Sequence, residues 1–124
     1  MVSRRTDQQT AIRAFIQEVD RPVRVDEIMQ GAGESVPGIG SATVYRAVKA
    51  GLQAGWLVEV HLPGDRRTAY EMAGKDHHHH FECNNCGKVY DVEGCPGHLS
   101  KLIPSGFVME DHELVLYGRC NVCV

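Results

Sequence analysis

The residues best suited to chemistry are cysteines and histidines, and most of them lie in the second half of the chain. The run 77–86 (HHHHFECNNC) places four imidazoles beside a Cys-x-x-Cys pair, and a second pair stands at Cys120 and Cys123. Two thiolate pairs with this spacing supply the four ligands of a tetrahedral structural zinc ion. We therefore predict a Zn²⁺ site formed by Cys83, Cys86, Cys120 and Cys123. The alternative is four free or redox-active thiols.

Length and composition set broad limits. The 124 residues allow one domain or two small ones, and the hydrophobic content of 43% is ordinary for a soluble protein. No apolar run approaches the ~18 residues of a membrane helix. The N-terminal residues do not show the charged and then apolar pattern of a secretory signal, so we expect a cytoplasmic protein without membrane contact. The paired cysteines also favour metal thiolates in a reducing compartment over disulfides.

Charge does not decide between nucleic-acid binding and other functions. The formal net charge is −3, but residues 1–75 carry 10 Lys and Arg against 9 Asp and Glu, whereas residues 76–124 carry 3 against 7. The first half is thus neutral to slightly basic and the second is acidic. Weak basicity neither requires nor excludes contact with DNA.

The first half has the pattern of three helices followed by a hairpin. Helical spacing of apolar residues predicts helices over 6–19, 25–31 and 41–54, with Gly31 ending the second helix and a glycine-rich loop following it. Strands are predicted over 56–62 and 68–71, joined by a turn that carries two arginines. This order is the outline of a winged helix, although a small helical domain with a surface hairpin would share it.

Polar and basic side chains of this half suit DNA. A recognition helix meets base edges and phosphates at its N-terminal end, where the third helix carries an exposed Tyr-Arg pair. The predicted DNA contacts are Arg4, Ser41, Thr43, Tyr45, Arg46, Lys49, Arg66 and Arg67.

The second half is predicted to be a small α/β unit. Strands over 81–83 and 88–92 flank the first Cys-x-x-Cys knuckle, and a helix covers 95–103. Further strands are predicted over 107–109 and 112–117, the last of which returns the second cysteine pair to the first. The fifth cysteine, Cys95, is expected to be a small, partly buried residue rather than a ligand, or else an exposed oxidation site.

Four segments, in this order, resemble the ferric uptake regulator family of bacterial repressors: SATVYRAVKAGLQAGWL, RRTAYE, HHHHFECNNCGKVYDVEG and HELVLYGRCNVC. The resemblance implies an α+β fold with a winged-helix DNA-binding domain (1–72), a hinge (73–76) and a dimerisation domain (77–124) containing the Cys₄ zinc. It also implies a homodimer that binds a double-stranded DNA operator when a regulatory divalent metal is present. Fe²⁺ or Zn²⁺ is expected as that metal, with Mn²⁺ or Ni²⁺ also possible.

The predicted regulatory site contains His61, Glu71, His78 and His80. On an extended chain, His78 and His80 point to the same side, and the hairpin can bring His61 and Glu71 together. The last three of these residues match family ligand positions. A further family ligand often precedes the second helix, where this chain has no histidine, so His61 is assigned in its place.

The opposite face of the histidine run suggests a second metal site of His77, His79, His98 and His112. The family usually places one or two carboxylates among these positions, so an all-histidine set is a departure. Such a set favours Zn²⁺, Ni²⁺ or Cu²⁺ over Mn²⁺ or Fe²⁺.

The leading hypothesis is a metal-responsive transcriptional repressor that is not an enzyme and has no small-molecule substrate. Two alternatives are a metal buffer or storage module and a zinc-dependent hydrolase. No HExxH or GxSxG motif supports the hydrolase, and a storage module would leave the predicted recognition helix without a role.

Overall fold

A computed structural model describes residues 4–64 and 68–124. The predicted DNA contacts Arg66 and Arg67, and the side chain of Arg4, lie outside what is described. The chain divides into two compact units, Met1–Lys75 and Asp76–Val124. The first is mainly helical and the second is built on a small sheet, so the predicted α+β class is confirmed.

The Met1–Lys75 unit has three helices and a two-stranded hairpin. Its elements are α1 (Arg4–Val19), α2 (Val25–Ser35), α3 (Ser41–Ala54), β1 (Leu57–Val60) and β2 (Ala69–Met72). The strands pair antiparallel, with Leu57 opposite Met72 and Val60 opposite Ala69. The order of elements predicted from apolar spacing is therefore confirmed for this unit.

A single apolar core holds the three helices on the hairpin. Ile12 and Ile16 of α1, Ile28 of α2, and Val44 and Val48 of α3 are at most 3% exposed. These positions recur at helical spacing, so each helix buries one face and leaves the other to solvent.

The hairpin also pairs with the segment between α1 and α2. Val23 and Tyr70 exchange two backbone hydrogen bonds of 2.8 Å, with each amide donating to the other residue's carbonyl. This bridge fixes where α2 begins. Glu27 reinforces that start, because its carboxylate accepts a 3.0 Å hydrogen bond from the Arg24 amide and pairs with Arg21 at 2.7 Å.

Gly31 does not end α2, which continues to Ser35, so that predicted stop was wrong. The glycine allows a close helix contact instead: a Cβ built on Gly31 would lie 1.9 Å from Cε1 of Phe15 on α1. Because no other residue could occupy this position without moving the Phe15 ring, the glycine marks packing rather than termination. A Cβ built on Gly33, two residues further along α2, would meet nothing within 4 Å.

The Asp76–Val124 unit is organised on a three-stranded sheet of order β4-β3-β5. The strands are β3 (His79–Cys83), β4 (Val89–Val92) and β5 (Val115–Gly118), with β4 antiparallel and β5 parallel to the central β3. A short 3₁₀ helix, Leu99–Leu102, lies between β4 and β5.

Two predicted elements of this unit were wrong. The helix over 95–103 is only the 3₁₀ turn, because Gly94, Gly97 and His98 have positive φ angles of 90°, 65° and 55°, which no α-helix contains. The stretch 107–109 is not a strand.

None of the helices in residues 4–64 and 68–124 has the length and hydrophobicity of a membrane-spanning segment.

The contact between Gly31 and Phe15 gives a matched pair of substitutions. Gly31→Ala should lower the free energy of unfolding of the Met1–Lys75 unit by about 1–3 kcal/mol, because the added methyl overpacks the α1–α2 contact. Gly33→Ala should raise it by about 0.5–1 kcal/mol, because alanine is the better helix former and the space there is open. Denaturant unfolding followed by circular dichroism measures both. Equal stability of the two variants would contradict the proposed role of Gly31.

Candidate metal centres and nucleic-acid interface

The four paired cysteines converge at one end of the sheet. Cys83 ends β3, Cys86 lies in the turn after it, and Cys120 and Cys123 occupy the turn that follows β5. The four sulfur atoms lie within 4.8 Å of one another. The Sγ atoms of Cys86 and Cys120 are 3.8 Å apart, which matches the edge of about 3.8 Å of a tetrahedron with Zn–S bonds of ~2.3 Å. The predicted Cys₄ cluster is therefore suited to a structural zinc ion.

The backbone prepares Cys83 for that role. Its Sγ accepts hydrogen bonds of 3.4 Å from the amides of Cys86 and Cys120. These bonds, that of Cys86 first, outweigh the effect of burial and lower the pKa of the Cys83 thiol to about 6. Since the thiolate is the form that binds zinc, these hydrogen bonds favour the ligand state of Cys83.

A second group of ligand atoms converges at the other end of β3. His77, His79 and His112 meet there with Cys95, and their ligand atoms lie within 4.8 Å of one another. The Nε2 atom of His77 is 3.2 Å from Nε2 of both His79 and His112, and the Sγ atom of Cys95 is also 3.2 Å from Nε2 of His112. His98, predicted in this site, is not in the group. It is exposed and precedes the 3₁₀ helix in a left-handed conformation.

His79 is the buried member of this group, with 2% of its surface exposed. Burial, and then the neighbouring His77 and His112, lower the pKa of His79 below its usual value. The neutral imidazole that results is the form that coordinates a metal ion.

The other face of the same segment carries a third group. The Oδ1 atom of Asp91 lies 3.4 Å from Nε2 of His78 and 3.6 Å from Nε2 of His80, and all three side chains are 16–18% exposed. The Nδ1 atom of His78 lies 2.7 Å from the Asp76 carbonyl oxygen. That oxygen can only accept a hydrogen bond, so Nδ1 carries a proton and Nε2 is the atom that faces Asp91. This contact is favourable when Nε2 is also protonated, or when a metal ion lies between Nε2 and the carboxylate.

Two predicted ligands, His61 and Glu71, belong to the Met1–Lys75 unit. The hairpin of that unit does not bring these two side chains close to each other. Glu71 lies on β2 and is 3% exposed, with its Oε2 atom 3.4 Å from Nζ of Lys75. His61 follows β1, where the strand register places it about three residues, or ~10 Å, along the hairpin from Glu71 and on the other face. The His61 imidazole is 78% exposed and lies 3.4 Å from the Glu59 carboxylate.

The predicted recognition helix presents the expected side chains. Val44 and Val48 of α3 are buried, whereas Tyr45 is 58% exposed and Arg46 and Lys49 are exposed. The Nη2 atom of Arg46 donates a 3.2 Å hydrogen bond to Oγ1 of Thr43, which holds the guanidinium beside the first turn. Ser41, the first residue of α3, and Tyr45 line an open cleft of about 470 Å³ with the start of α2 and the hairpin.

Sequence reasoning did not single out Asp91, and it favoured a partly buried residue over a ligand at Cys95. A signal for Asp91 was present, because the strands on either side of the Cys83–Cys86 knuckle can be paired by counting outward from the turn, which places Asp91 opposite His80. Cys95 could not be found in this way. It lies beyond the last pair of β4, among the left-handed residues that replace the predicted helix.

Comparison with known proteins identifies the fold and its relatives. The sequence model described as the ferric uptake regulator family matches residues 2–117. The chain belongs to this family. The solved structure of a zinc-bound manganese uptake regulator is similar, with a TM-score of 0.78 at 25% identity over 91% of this chain and 87% of that one.

Relatives in the family carry different names. The ferric uptake regulation protein of Bordetella parapertussis is 39% identical over 90 residues, which span 68% of this chain and 63% of that protein, just under two thirds of its length. The peroxide operon regulator of Bacillus subtilis is 28% identical over 126 residues, which span 95% of this chain and 82% of that protein. Proteins of this family are transcription regulators rather than enzymes, so the hydrolase alternative gains no support.

The Cys₄ cluster predicts a tightly held zinc ion. Cys83→Ser should abolish the zinc that survives mild chelation and unfold much of the Asp76–Val124 unit, because structural Cys-rich zinc sites bind with about 10–16 kcal/mol that is also folding free energy. Metal analysis together with limited proteolysis measures both effects.

The matched control is Asn85→Ser, which changes an exposed side chain inside the same turn. This variant should keep about one chelation-resistant zinc per chain. Retention of that zinc by the Cys83→Ser variant would show that the cluster is not the structural site.

Proposed function

We propose that the protein is a metal-responsive DNA-binding repressor of genes for metal uptake and homeostasis. The observation that carries this proposal is the convergence of His78, His80 and Asp91 immediately after a winged-helix unit with an exposed recognition helix. Two imidazoles and a carboxylate are a ligand set for Fe²⁺, Zn²⁺, Mn²⁺ or Co²⁺. A ligand site placed directly after the hinge can couple metal binding to DNA binding.

In this proposal the regulatory ligands are His78, His80 and Asp91 with Glu71. The hydrogen bond from His78 to Asp76 orients one ring for coordination. Glu71 is buried and lies four residues before Lys75, the last residue of its unit. It is one of the ligands that the family resemblance implies. His61 remains a predicted ligand, and its exposed ring would have to leave Glu59 to take part.

Lys75 lies beside the buried Glu71 carboxylate. Its ammonium is 3.4 Å from Glu71 and 3.3 Å from Asp20. In this proposal, coordination of Glu71 together with His78 and His80 would tie both units to one ion, whose positive charge these ligands would share.

Ordering of the two units would then favour DNA. A dimer whose winged helices are already held in one orientation by the metal would lose less conformational freedom when it binds the operator. Metal binding and DNA binding would therefore be linked by a coupling free energy of typically ~1–3 kcal/mol. Tyr45 and Arg46 would contact base edges and phosphates in the major groove. Ser41, Thr43 and Lys49, with Arg4, Arg66 and Arg67, would supply further contacts to the DNA.

The homodimer is proposed to form through the Asp76–Val124 unit. Its strand β5 is an edge of the described sheet and exposes Leu116 and Tyr117 at 43% and 47%. Leu102 and Phe107, in the segment between β4 and β5, are at least 70% exposed. An edge strand beside exposed apolar side chains is suited to a subunit interface. A monomer in sedimentation experiments at micromolar concentration would contradict this assembly.

Removal of one regulatory ligand tests the switch. Asp91→Asn should leave operator affinity in the absence of metal unchanged but abolish its increase on adding metal, expected to be about 5–150-fold in the parent protein. The measurement is DNA binding at fixed salt while Fe²⁺, Zn²⁺, Mn²⁺ and Ni²⁺ are titrated onto protein that retains its Cys₄ zinc.

Glu93→Gln is the control for that experiment, because it removes an exposed carboxylate from the same segment and should leave the metal response intact. A response that survives Asp91→Asn would remove Asp91 from the site. If no ion changes the DNA affinity of the parent protein, the metal sites serve storage or structure and the repressor proposal is wrong.

Substitutions on α3 test the DNA interface separately. Tyr45→Ala and Arg46→Ala should each weaken operator binding by about 1–3 kcal/mol without altering zinc content or dimer formation, because both side chains are exposed and neither belongs to the core. Lys101→Ala removes an exposed charge from the other unit and should have little effect. Unchanged affinity in both α3 variants would contradict the assignment of this helix.

A further inference from the structure

The group at the start of β3 brings together four potential metal ligands, and one of them, Cys95, was not predicted to be a ligand. His77 and His79 come from the central strand, and His112 precedes β5 in the parallel register that pairs His80 with Val115. Extending that register backwards places His112 beside His77. Cys95 arrives from the other side, three residues after β4. Three separate segments therefore deliver ligand atoms to one point.

Two contacts meet at a single ring atom of this group. The Nε2 atom of His77 lies 3.2 Å from two other Nε2 atoms, and a ring nitrogen carries either one proton or one lone pair. Hydrogen bonding would therefore share one proton or one lone pair between two neighbours. A cation bound between the side chains would instead accept a lone pair from each of them.

The distances fit zinc. Nitrogen ligands on a tetrahedral Zn²⁺ with Zn–N bonds of ~2.0–2.1 Å are about 3.3 Å apart, and a nitrogen and a sulfur ligand are about 3.5 Å apart. The contacts from His77 to His79 and to His112, and from His112 to Cys95, are each 3.2 Å. The burial of His79 keeps one ligand away from water, while the exposure of Cys95 leaves an entry path for the ion.

We propose that Cys95, rather than His98, completes this site, which is then a His₃Cys centre for Zn²⁺ or a similar borderline-soft ion. A thiolate with three imidazoles offers no oxygen ligand, so hard Mn²⁺ would compete poorly for it. This inference goes beyond the proposed regulatory function. The thiolate also distinguishes the site from the His78, His80 and Asp91 group, which contains no sulfur.

Cobalt substitution tests the ligand set directly. Protein that retains zinc in the Cys₄ cluster is loaded with Co²⁺, and the sulfur-to-cobalt charge-transfer absorption in the near ultraviolet is recorded. The parent protein should show this band, Cys95→Ser should lose it, and His98→Ala should keep it. Stoichiometric Zn²⁺ should abolish the band, whereas an excess of Mn²⁺ should not.

Each other outcome overturns the proposal. Absence of the band in the parent protein would show that no thiolate binds cobalt there. A band that survives Cys95→Ser would come from cobalt exchanged into the Cys₄ cluster, and loss of the band in His98→Ala would restore His98 as a ligand. None of these readings involves DNA, so a failed repressor proposal would leave this test unaffected.

Discussion

The alternation of side chains along β3 and the residues before it decides which ligand atoms meet in the Asp76–Val124 unit. Segment 77–83 sends His77 and His79 to one face and His78 and His80 to the other, and it delivers Cys83 at its end. Each of the three ligand groups takes at least one member from this segment. Because β3 is hydrogen-bonded on both sides, to β4 and β5, its register is fixed, and the three groups cannot exchange members without breaking the sheet.

The three groups differ in chemistry because they recruit different neighbours. The Cys₄ cluster is wholly thiolate and closes on the turn after β5. The group facing Asp91 combines imidazole with a carboxylate, which suits a wide range of divalent ions, and the group with Cys95 has sulfur but no oxygen. One short strand thus supports ligand sets that range from soft to intermediate, so each can hold its own ion.

Most features that depend on residues close together in the chain could be predicted from the sequence. Apolar spacing located the three helices and the hairpin, and the spacing of the cysteines located the zinc cluster, because each depends on residues close together in the chain. The errors came from long-range packing and from backbone conformation. Gly31 was interpreted as a helix stop, although its role depends on Phe15 from another helix. The helix predicted over 95–103 was wrong because its left-handed positions depend on backbone conformation that apolar spacing does not reveal. The positions of Cys95 and His98 relative to the histidine run therefore could not be predicted.

If metal binding and DNA binding are energetically coupled, each must tighten the other, and measuring both directions tests that coupling. The affinity of the protein for its activating ion would be measured by calorimetry with and without a saturating operator fragment, with the Cys₄ zinc in place. Thermodynamic linkage requires DNA to tighten metal binding by the same factor, about 5–150-fold, by which metal tightens DNA binding. We expect the two factors to be equal, and we expect substitution of Asp91, His78 or His80 to abolish both. Metal affinity that is identical with and without DNA would contradict this coupling.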